Sequence, residues 1–240
     1  MSKLWISEKM ISRCFWQSIR SSIYFEEATN DANFIASVTA PKVDEFPSIA
    51  GSISKVSSRY LWLLTKYFSP KSVIEIGTYI GRSTLAISFG GQESIEDVYT
   101  CDGTYDCLNF NDYKTGELPR EKANCIDRIR YHGKTMSTDL LGKILESNKK
   151  VDMVFIDGRI SNEDCKILAK VMNNNCVIVL DDFEGVEKGV VNAMMLRNAF
   201  KGMILVEPAV EENCEVGNLA ILVPSANLTL SRQQGLPVNM

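Results

Sequence analysis

The feature that most constrains the fold is a strand, glycine turn and helix pattern near the first third of the chain. An apolar run over residues 73–76 predicts a short buried strand, which carries Glu75 near its end. The turn that follows has the form Gly-x-x-x-Gly, with Gly77 and Gly81. The apolar spacing behind the turn predicts a helix over residues 82–89. A strand, a tight glycine turn and a helix form the first unit of a nucleotide-type βαβ fold.

The same turn indicates what kind of ligand it would hold. Gly77 and Gly81 lack a Cβ, so we expect a ligand to lie directly on the backbone there. A dinucleotide fingerprint, G-x-G-x-x-G, would place a pyrophosphate at the helix N-terminus, but Tyr79 stands in place of its second glycine. The acidic Glu75 before the glycines also disfavours a phosphate. The turn therefore favours a cationic or hydroxyl-rich ligand.

Length and composition fit one sizeable α/β domain with an appendage. The chain has 240 residues, 45% of them hydrophobic, and a net charge of −4, so we expect a full core and no nucleic-acid partner. The seven cysteines are odd in number and form no CxxC pair, which favours a reducing, cytoplasmic compartment over a disulfide frame or a structural zinc site. No apolar run reaches the roughly 18 residues of a membrane span, so we expect none.

The chain is predicted to have two parts, an N-terminal helical cap and linker over residues 1–47 and a larger domain over residues 48–240. Residues 1–26 have the spacing of an amphipathic helix with a basic balance. That helix would pack on the domain, on the substrate or on a second subunit, which makes it a candidate homodimer element, and membrane-surface contact is the competing interpretation. Pro41 and Pro47, among mixed charges, predict a linker or lid between the two parts.

Beyond residue 70, apolar strands alternate with helices, and this alternation requires a parallel sheet with right-handed crossovers. No helix pattern separates the last two strands, so we expect them to form an antiparallel edge hairpin. Strands are predicted at residues 72–76, 97–101, 127–132, 152–156, 176–180, 202–206 and 218–223. Helices are predicted at residues 48–68, 82–89, 137–147, 161–172 and 185–199.

Acidic residues follow three of the predicted strands, at the edge where open parallel sheets bind ligands. Asp102, after the second strand, is suited to accept both hydroxyls of a ribose, and the alternative is a turn or helix-capping aspartate. Asp157 follows the fourth strand, and Asp181 and Asp182 follow the fifth. Three adjacent carboxylates repel one another unless a proton or cation intervenes, and Mg²⁺ takes oxygen ligands of this kind. Alternatively, Asp157 orients a cofactor or substrate and Asp181 caps the next helix.

The pattern Glu75-x-Gly77-x-Tyr79-x-Gly81-x-Ser83 resembles motif I of the class I S-adenosylmethionine (SAM)-dependent methyltransferases. It is most similar to the catechol-type and related small-molecule O-methyltransferases. The resemblance implies a Rossmann-like, seven-stranded, mostly parallel sheet with an antiparallel last strand, helices on both faces and an N-terminal helical cap. It also implies SAM as cofactor and O-methylation of a small hydroxylated molecule.

The resemblance also implies site residues. It places cofactor-binding residues at Glu75, Gly77, Tyr79, Gly81, Ser83, Asp102, Gly133, Thr135, Met136 and Asp157. In metal-dependent members the ligands sit at the positions of Asp157, Asp181 and Asp182, so Mg²⁺ is the second implied cofactor. Such an ion would hold a substrate diol and lower the pKa of one hydroxyl. That these acids bind no metal stays open.

One departure from the family pattern concerns catalysis. The catechol-type enzymes carry a catalytic lysine three residues after the strand-four aspartate, where this chain has Ile160. Many relatives instead carry a histidine one or two residues after that aspartate, where this chain has Arg159 and Ile160. Arg159 cannot act as a base, but it can hold an anionic group, so Asp157 and Arg159 are the catalytic candidates. The only histidine, His132, is expected to be structural or to flank adenine. Metal activation, an aspartate or a lid residue remain open as the means of deprotonation.

Two other functions remain compatible with the sequence. An NAD-linked oxidoreductase on a Rossmann sheet would use Asp102 to bind the adenine ribose, although the missing dinucleotide fingerprint argues against it. A non-catalytic SAM-binding protein would explain the absent lysine. Binding of NADH and methyl transfer to small hydroxylated acceptors separate these alternatives from the first.

Overall fold

A computed structural model describes residues 8–45, 51–106, 108–116, 118–183, 188–208 and 217–225. Within these ranges the helices are α1 (Glu8–Arg20), α2 (Phe25–Glu45), α3 (Lys55–Phe68), α4 (Arg82–Gly90), α5 (Arg120–Ile126), α6 (Ser137–Glu146), α7 (Asn162–Val171) and α8 (Gly189–Ala199). The strands are β1 (Ser72–Ile76), β2 (Asp97–Asp102), β3 (Ile129–Gly133), β4 (Val151–Ile156), β5 (Met172–Leu180), β6 (Met203–Val206) and β7 (Ala220–Pro224). A short 3-10 helix, Phe110–Tyr113, lies between β2 and α5.

The seven strands form a single sheet in the order β3-β2-β1-β4-β5-β7-β6. Strands β1 to β5 pair in parallel, and β7 is antiparallel to both β5 and β6. This confirms the predicted Rossmann-like sheet, with its antiparallel last strand and its edge hairpin. The strand order reverses between β1 and β4, and such a reversal opens a crevice at the carboxyl ends of the strands.

Helices cover both faces of the sheet, and each face has its own apolar core. On one face, α1 to α5 share one apolar core with the sheet, with Leu61 and Leu64 of α3 fully buried. On the other face, α6, α7 and α8 contribute Leu140, Leu168 and Leu196. Because both faces are covered, the central strands read as near-continuous apolar runs, which is why they were predictable from the sequence.

The N-terminal helix α1 packs on the domain itself. The Trp16 indole is 2% exposed and donates to the backbone carbonyl of Glu207 at 2.7 Å. Its ring meets Tyr60 of α3 edge-on, with centroids 5.7 Å apart. The sequence suggested three packing partners for this helix, and the structure shows it packed on one of them, the domain itself. The homodimer stays a prediction.

The expected linker after residue 30 is helical as far as residue 45. Helix α2 includes Pro41, which lacks a backbone N–H and normally interrupts a helix. Tertiary contacts hold the helix nevertheless: Asp31 accepts from the Trp62 indole at 2.9 Å and pairs with Lys122, and Ile35 is fully buried. The interpretation of this stretch as a linker or lid is thus corrected for residues 31–45. Pro47 lies outside the described residues.

Other element boundaries shift by a few residues. Helix α3 begins at Lys55 rather than residue 48, because the Ser54 side chain caps the backbone N–H of Ser57 at 2.9 Å. It ends at Phe68, before Ser69 in a left-handed conformation. Helix α5 was not predicted. Among the helices that the structure describes, none is long and apolar enough to cross a membrane.

Candidate functional site

The turn after β1 lies at the centre of the carboxyl edge of the sheet. Gly77, Tyr79 and Gly81 all have positive φ, of 101°, 46° and 75°. A Cβ on Gly77 would lie 2.9 Å from the backbone nitrogen of Gly158, in the loop after β4. The glycine is therefore required by the close approach of two loops. Its predicted contact with a cofactor stays a prediction.

Glu75 lies beneath this turn, in the core. Its side chain is fully buried, and Oε2 accepts from the hydroxyls of Thr84 and Thr100, each at 2.5 Å. Oε1 is buried and has no hydrogen-bond partner among the described residues. Burial raises the pKa of Glu75 to about 7, although hydrogen bonds from neighbouring hydroxyls, those of Thr100 and Thr84 among them, oppose the rise. The carboxyl group thus has one oxygen fixed and one available.

Asp102 joins the turns that follow β1 and β2. Its Oδ2 accepts from the backbone N–H of Tyr79 at 2.9 Å, and its Oδ1 accepts from those of Thr104 and Tyr105 at 2.8 and 2.9 Å. A carboxylate offers about four acceptor sites, so three backbone donors leave little spare capacity. The structure thus shows Asp102 in a turn, which was the alternative interpretation of this residue. Its contact with a ribose stays a prediction.

The segment after β2 packs over the predicted adenine region. A Cβ on Gly81 would lie 2.7 Å from the Phe110 ring, and one on Gly133 would clash with Asp106. The ring of Tyr105 lies against that of Tyr79, with centroids 5.7 Å apart. This polar segment therefore lies against the turn that follows β1. The structure places it as a wall over the carboxyl edge.

The third segment of the predicted cofactor site follows β3. The backbone N–H of Thr135 donates to the carbonyl of Asp102 at 2.9 Å, which ties this segment to the end of β2. The Met136 side chain is 61% exposed and lies beside Gly103. An exposed thioether at this edge provides an apolar surface on which a flat ring can lie.

His132 lies away from the predicted catalytic residues. Its strand β3 is three strand spacings from β4, a separation of about 14 Å. Burial and the charge of Lys143 on α6 lower the pKa of His132. This position agrees with the expectation that the histidine is structural or flanks adenine.

An acidic cluster, Asp157, Asp181 and Asp182, lies at the ends of β4 and β5, as the strand order predicted. The structure adds a lysine to it. The Lys188 ammonium, just before α8, contacts Oδ1 of Asp157 at 2.6 Å and Oδ2 of Asp182 at 2.5 Å. Burial and the charge of Asp181 raise the pKa of Asp157, while Lys188 opposes the rise. Burial lowers the pKa of Lys188, but its pairing with Asp157 and Asp182 together outweighs that effect and raises it.

Sequence reasoning missed two residues that organise this cluster. Lys188 lies after β5, whereas the family pattern places its lysine in the loop after β4. Asn192 of α8 is 2% exposed, donates to the carbonyl of Gly158 at 2.9 Å and accepts from the N–H of Ile160 at 3.3 Å. The sequence signal that could have identified them is a lysine and an asparagine shortly after the Asp181–Asp182 pair. Arg159 is exposed.

The cluster as arranged does not fit a magnesium ion. Among the residues that the structure describes, no three His, Cys, Asp or Glu side chains are grouped so as to hold a metal. Two of the three predicted ligands instead direct an oxygen at the Lys188 ammonium. A divalent ion would need those same oxygens.

Comparison with known proteins extends this picture. Residues 74–183 match a protein-family model described as a methyltransferase domain. The match begins in β1 and ends just after Asp182, so it includes the acidic residues of the candidate site: Glu75, Asp102, Asp157, Asp181 and Asp182. No curated protein matches the sequence.

Several solved structures share the fold. The O-methyltransferase TomG from Streptomyces achromogenes, solved with SAM, aligns with a TM-score of 0.57 at 15% identity over 79% of this chain and 89% of its own. An O-methyltransferase from Bacillus cereus, solved with SAH, gives 0.55 at 18% over 81% and 90%. The SAH-bound methyltransferase PaMTH1 from Podospora anserina gives 0.54 at 15% over 93% and 99%.

The match of residues 74–183 to a methyltransferase domain and the shared fold support the resemblance, predicted from the β1 turn, to the class I SAM-dependent methyltransferases. O-methyltransferases are among its structural relatives.

Proposed function

We propose that this protein binds SAM at the carboxyl edge of β1, β2 and β4 and transfers its methyl group to a hydroxyl of a small molecule. The observation that carries the proposal is the set of acidic side chains around a glycine turn, inside the segment that matches a methyltransferase domain. Structural relatives that hold SAM or SAH support the same cofactor. Their acceptors do not identify the acceptor of this chain.

The site residues fit a cofactor that is cationic and carries no phosphate. Oε1 of Glu75 is a buried acceptor without a described partner, so it suits a hydrogen-bond donor or a positive charge. Asp102 adds a second carboxylate at the end of β2, 8% exposed. Neither carboxylate suits a pyrophosphate, which it would repel. This charge pattern favours SAM over NAD.

Each candidate residue has a stated role in the proposal. When bound, SAM supplies a methyl group on a sulfonium. Tyr79 and Ser83 line the turn with Glu75, and Gly133, Thr135 and Met136 form the adenine side. Asp157 and Arg159 face the acceptor from the loop after β4. These residues act mainly by alignment, and correct alignment of reactants is worth about 7–11 kcal/mol.

A methyl-transfer assay tests the proposal directly. Purified protein is incubated with methyl-labelled SAM and a panel of catechols, sugars and phenolic acids, with Mg²⁺ in one arm and EDTA in another. We expect label to appear on an oxygen of at least one acceptor. SAM binding without transfer to any acceptor would favour a non-catalytic SAM-binding protein, and binding of NADH in place of SAM would favour an oxidoreductase.

Asp102→Asn, matched with Asp97→Asn, tests the placement of the cofactor. Both residues lie on β2, but Asp97 is at the opposite end of the strand, where it pairs with Arg130 and Lys149. Loss of a charge-assisted hydrogen bond is worth about 1.5–3 kcal/mol, so Asp102→Asn should weaken SAM binding roughly tenfold to hundredfold. Asp97→Asn should leave it unchanged. Equal affinities in the two folded variants, measured by titration calorimetry, would refute this placement.

A further inference from the structure

The Lys188 side chain is built into the acidic cluster rather than resting on its surface. Its ammonium lies 2.6 Å from Oδ1 of Asp157 and 2.5 Å from Oδ2 of Asp182. Only 8% of the Asp157 side chain and 25% of the Lys188 side chain is exposed. An ammonium has three donors, and this one uses two of them on carboxylates from two different strands.

The backbone around Lys188 fixes its place. A Cβ on the next residue, Gly189, would clash with the carbonyl oxygen of Asp181, so the backbone at Gly189 lies tightly against the end of β5. Asp182 has a positive φ of 54°, which is uncommon for an aspartate. One turn into α8, Asn192 donates to the carbonyl of Gly158 at 2.9 Å and so ties the helix to the loop that carries Asp157.

The chemistry of this arrangement competes with that of a metal site. Three carboxylates at adjoining strand ends need a cation nearby, because like charges this close repel. A hard divalent ion would take its ligands from the oxygens that Lys188 already contacts, with no soft or nitrogen ligand among the predicted set. The lysine supplies the positive charge from within the chain and occupies the approach to two of the three carboxylates.

We propose that the Lys188 ammonium is the resident cation of the Asp157, Asp181 and Asp182 cluster, and that the cluster therefore takes no divalent metal. Lys188 acts as a positioning residue: it holds the Asp157 carboxylate in place beside the β1 turn. This role rests on the proposed function for its part in methyl transfer. Exclusion of the metal rests on the geometry alone, so the two can fail separately.

Manganese binding tests the proposal without reference to activity. The loss of the free Mn²⁺ signal in electron paramagnetic resonance reports binding to the wild-type protein and to Lys188→Met. At about 1 mM Mn²⁺, the concentration range of weak carboxylate sites, we expect no binding by the wild type and one equivalent bound by Lys188→Met. Lys188→Arg keeps the positive charge and should exclude Mn²⁺ like the wild type.

Two further variants identify the site. Lys166→Met removes a lysine that pairs with Glu163 on the exposed face of α7, so this variant should not bind Mn²⁺. The double variant Lys188→Met with Asp182→Asn should bind Mn²⁺ at least tenfold more weakly than Lys188→Met alone.

Two results would overturn the proposal. One is stoichiometric Mn²⁺ binding by the wild type that Asp182→Asn abolishes. The other is no gain of Mn²⁺ binding by Lys188→Met, with a near-ultraviolet circular dichroism spectrum that shows the variant folded. A SAM titration on the same wild-type sample is read separately, since protein that excludes Mn²⁺ but binds no SAM contradicts the proposed function and supports this inference.

Discussion

At the scale of single residues, Glu75 of the candidate site lowers the stability of the folded protein. The carboxyl group is fully buried and only one of its oxygens is hydrogen-bonded within the described structure. Burial moves its pKa from 4.5 to about 7. The folded protein therefore prefers the protonated acid, whereas the unfolded chain ionises it from about pH 4.5. Stability from this group is present below that pH and is lost as the pH rises to about 7.

Glu75→Gln should remove this pH dependence. The rise of the pKa from 4.5 to about 7 corresponds to about 3 kcal/mol, so the variant should gain stability relative to the wild type between pH 5 and pH 8 by up to that amount. Urea unfolding of both proteins at pH 5, 6, 7 and 8 measures the difference. The same variant should bind SAM more weakly. A stability difference that stays constant across this pH range would contradict the account.

A second prediction at this scale concerns Gly77. Sequence reasoning attributed its missing Cβ to the cofactor, but the structure places backbone atoms of Asp157 and Gly158 there, at 3.1 and 2.9 Å. Gly77→Ala should therefore destabilise the ligand-free protein by about 2 kcal/mol, through its positive φ and this contact. Gly142→Ala is the control: no atom lies near its Cβ position in α6, so it should stabilise by about 0.5–1 kcal/mol. Equal urea midpoints for the two variants would argue against the loop contact.

At the scale of elements, local sequence patterns predicted the buried strands. A helix that depends on tertiary contacts could not be predicted in this way. The buried strands β1, β2 and β4, with their apolar runs ending in acids, were placed within one or two residues. Helix α2 was missed because Pro41 argues locally for a break, whereas the burial of Asp31 and Ile35 against other helices holds the helix together. No spacing in the sequence reveals such distant contacts.

Pro41→Ala tests whether α2 continues through this residue in solution. The exposed proline leaves one helical carbonyl without its N–H partner, so alanine should stabilise the protein by about 1–2 kcal/mol despite a more flexible unfolded chain. Pro119→Ala is matched, because Pro119 is exposed at the N-cap of α5, where proline fits. It should be neutral or slightly destabilising. If Pro41 lay in a linker in solution, Pro41→Ala would instead have the same small effect on stability as Pro119→Ala.

At the scale of the whole molecule, sheet topology gathers the site from distant segments. The alternation of strands and helices placed Asp102, Asp157 and the Asp181–Asp182 pair along one edge, and the strand order confirms that placement. The same reasoning did not find Lys188, because its contact with Asp157 joins the start of α8 to the loop after β4, and no sequence pattern reveals that contact. It also did not foresee that Phe110 would pack against Gly81. Strand ends were predictable, and the side chains that fill the space between them were not.

The most direct test of the central claim is a crystal structure of the protein with SAH. We predict density along the carboxyl edge between Tyr79 and Asp157, with the ribose at Asp102 and the adenine beside Met136. Binding at this edge would require the Phe110 and Tyr105 side chains to leave room for the ligand. An edge that stays closed by these two rings at saturating SAH, or SAH bound elsewhere on the molecule, would contradict the account.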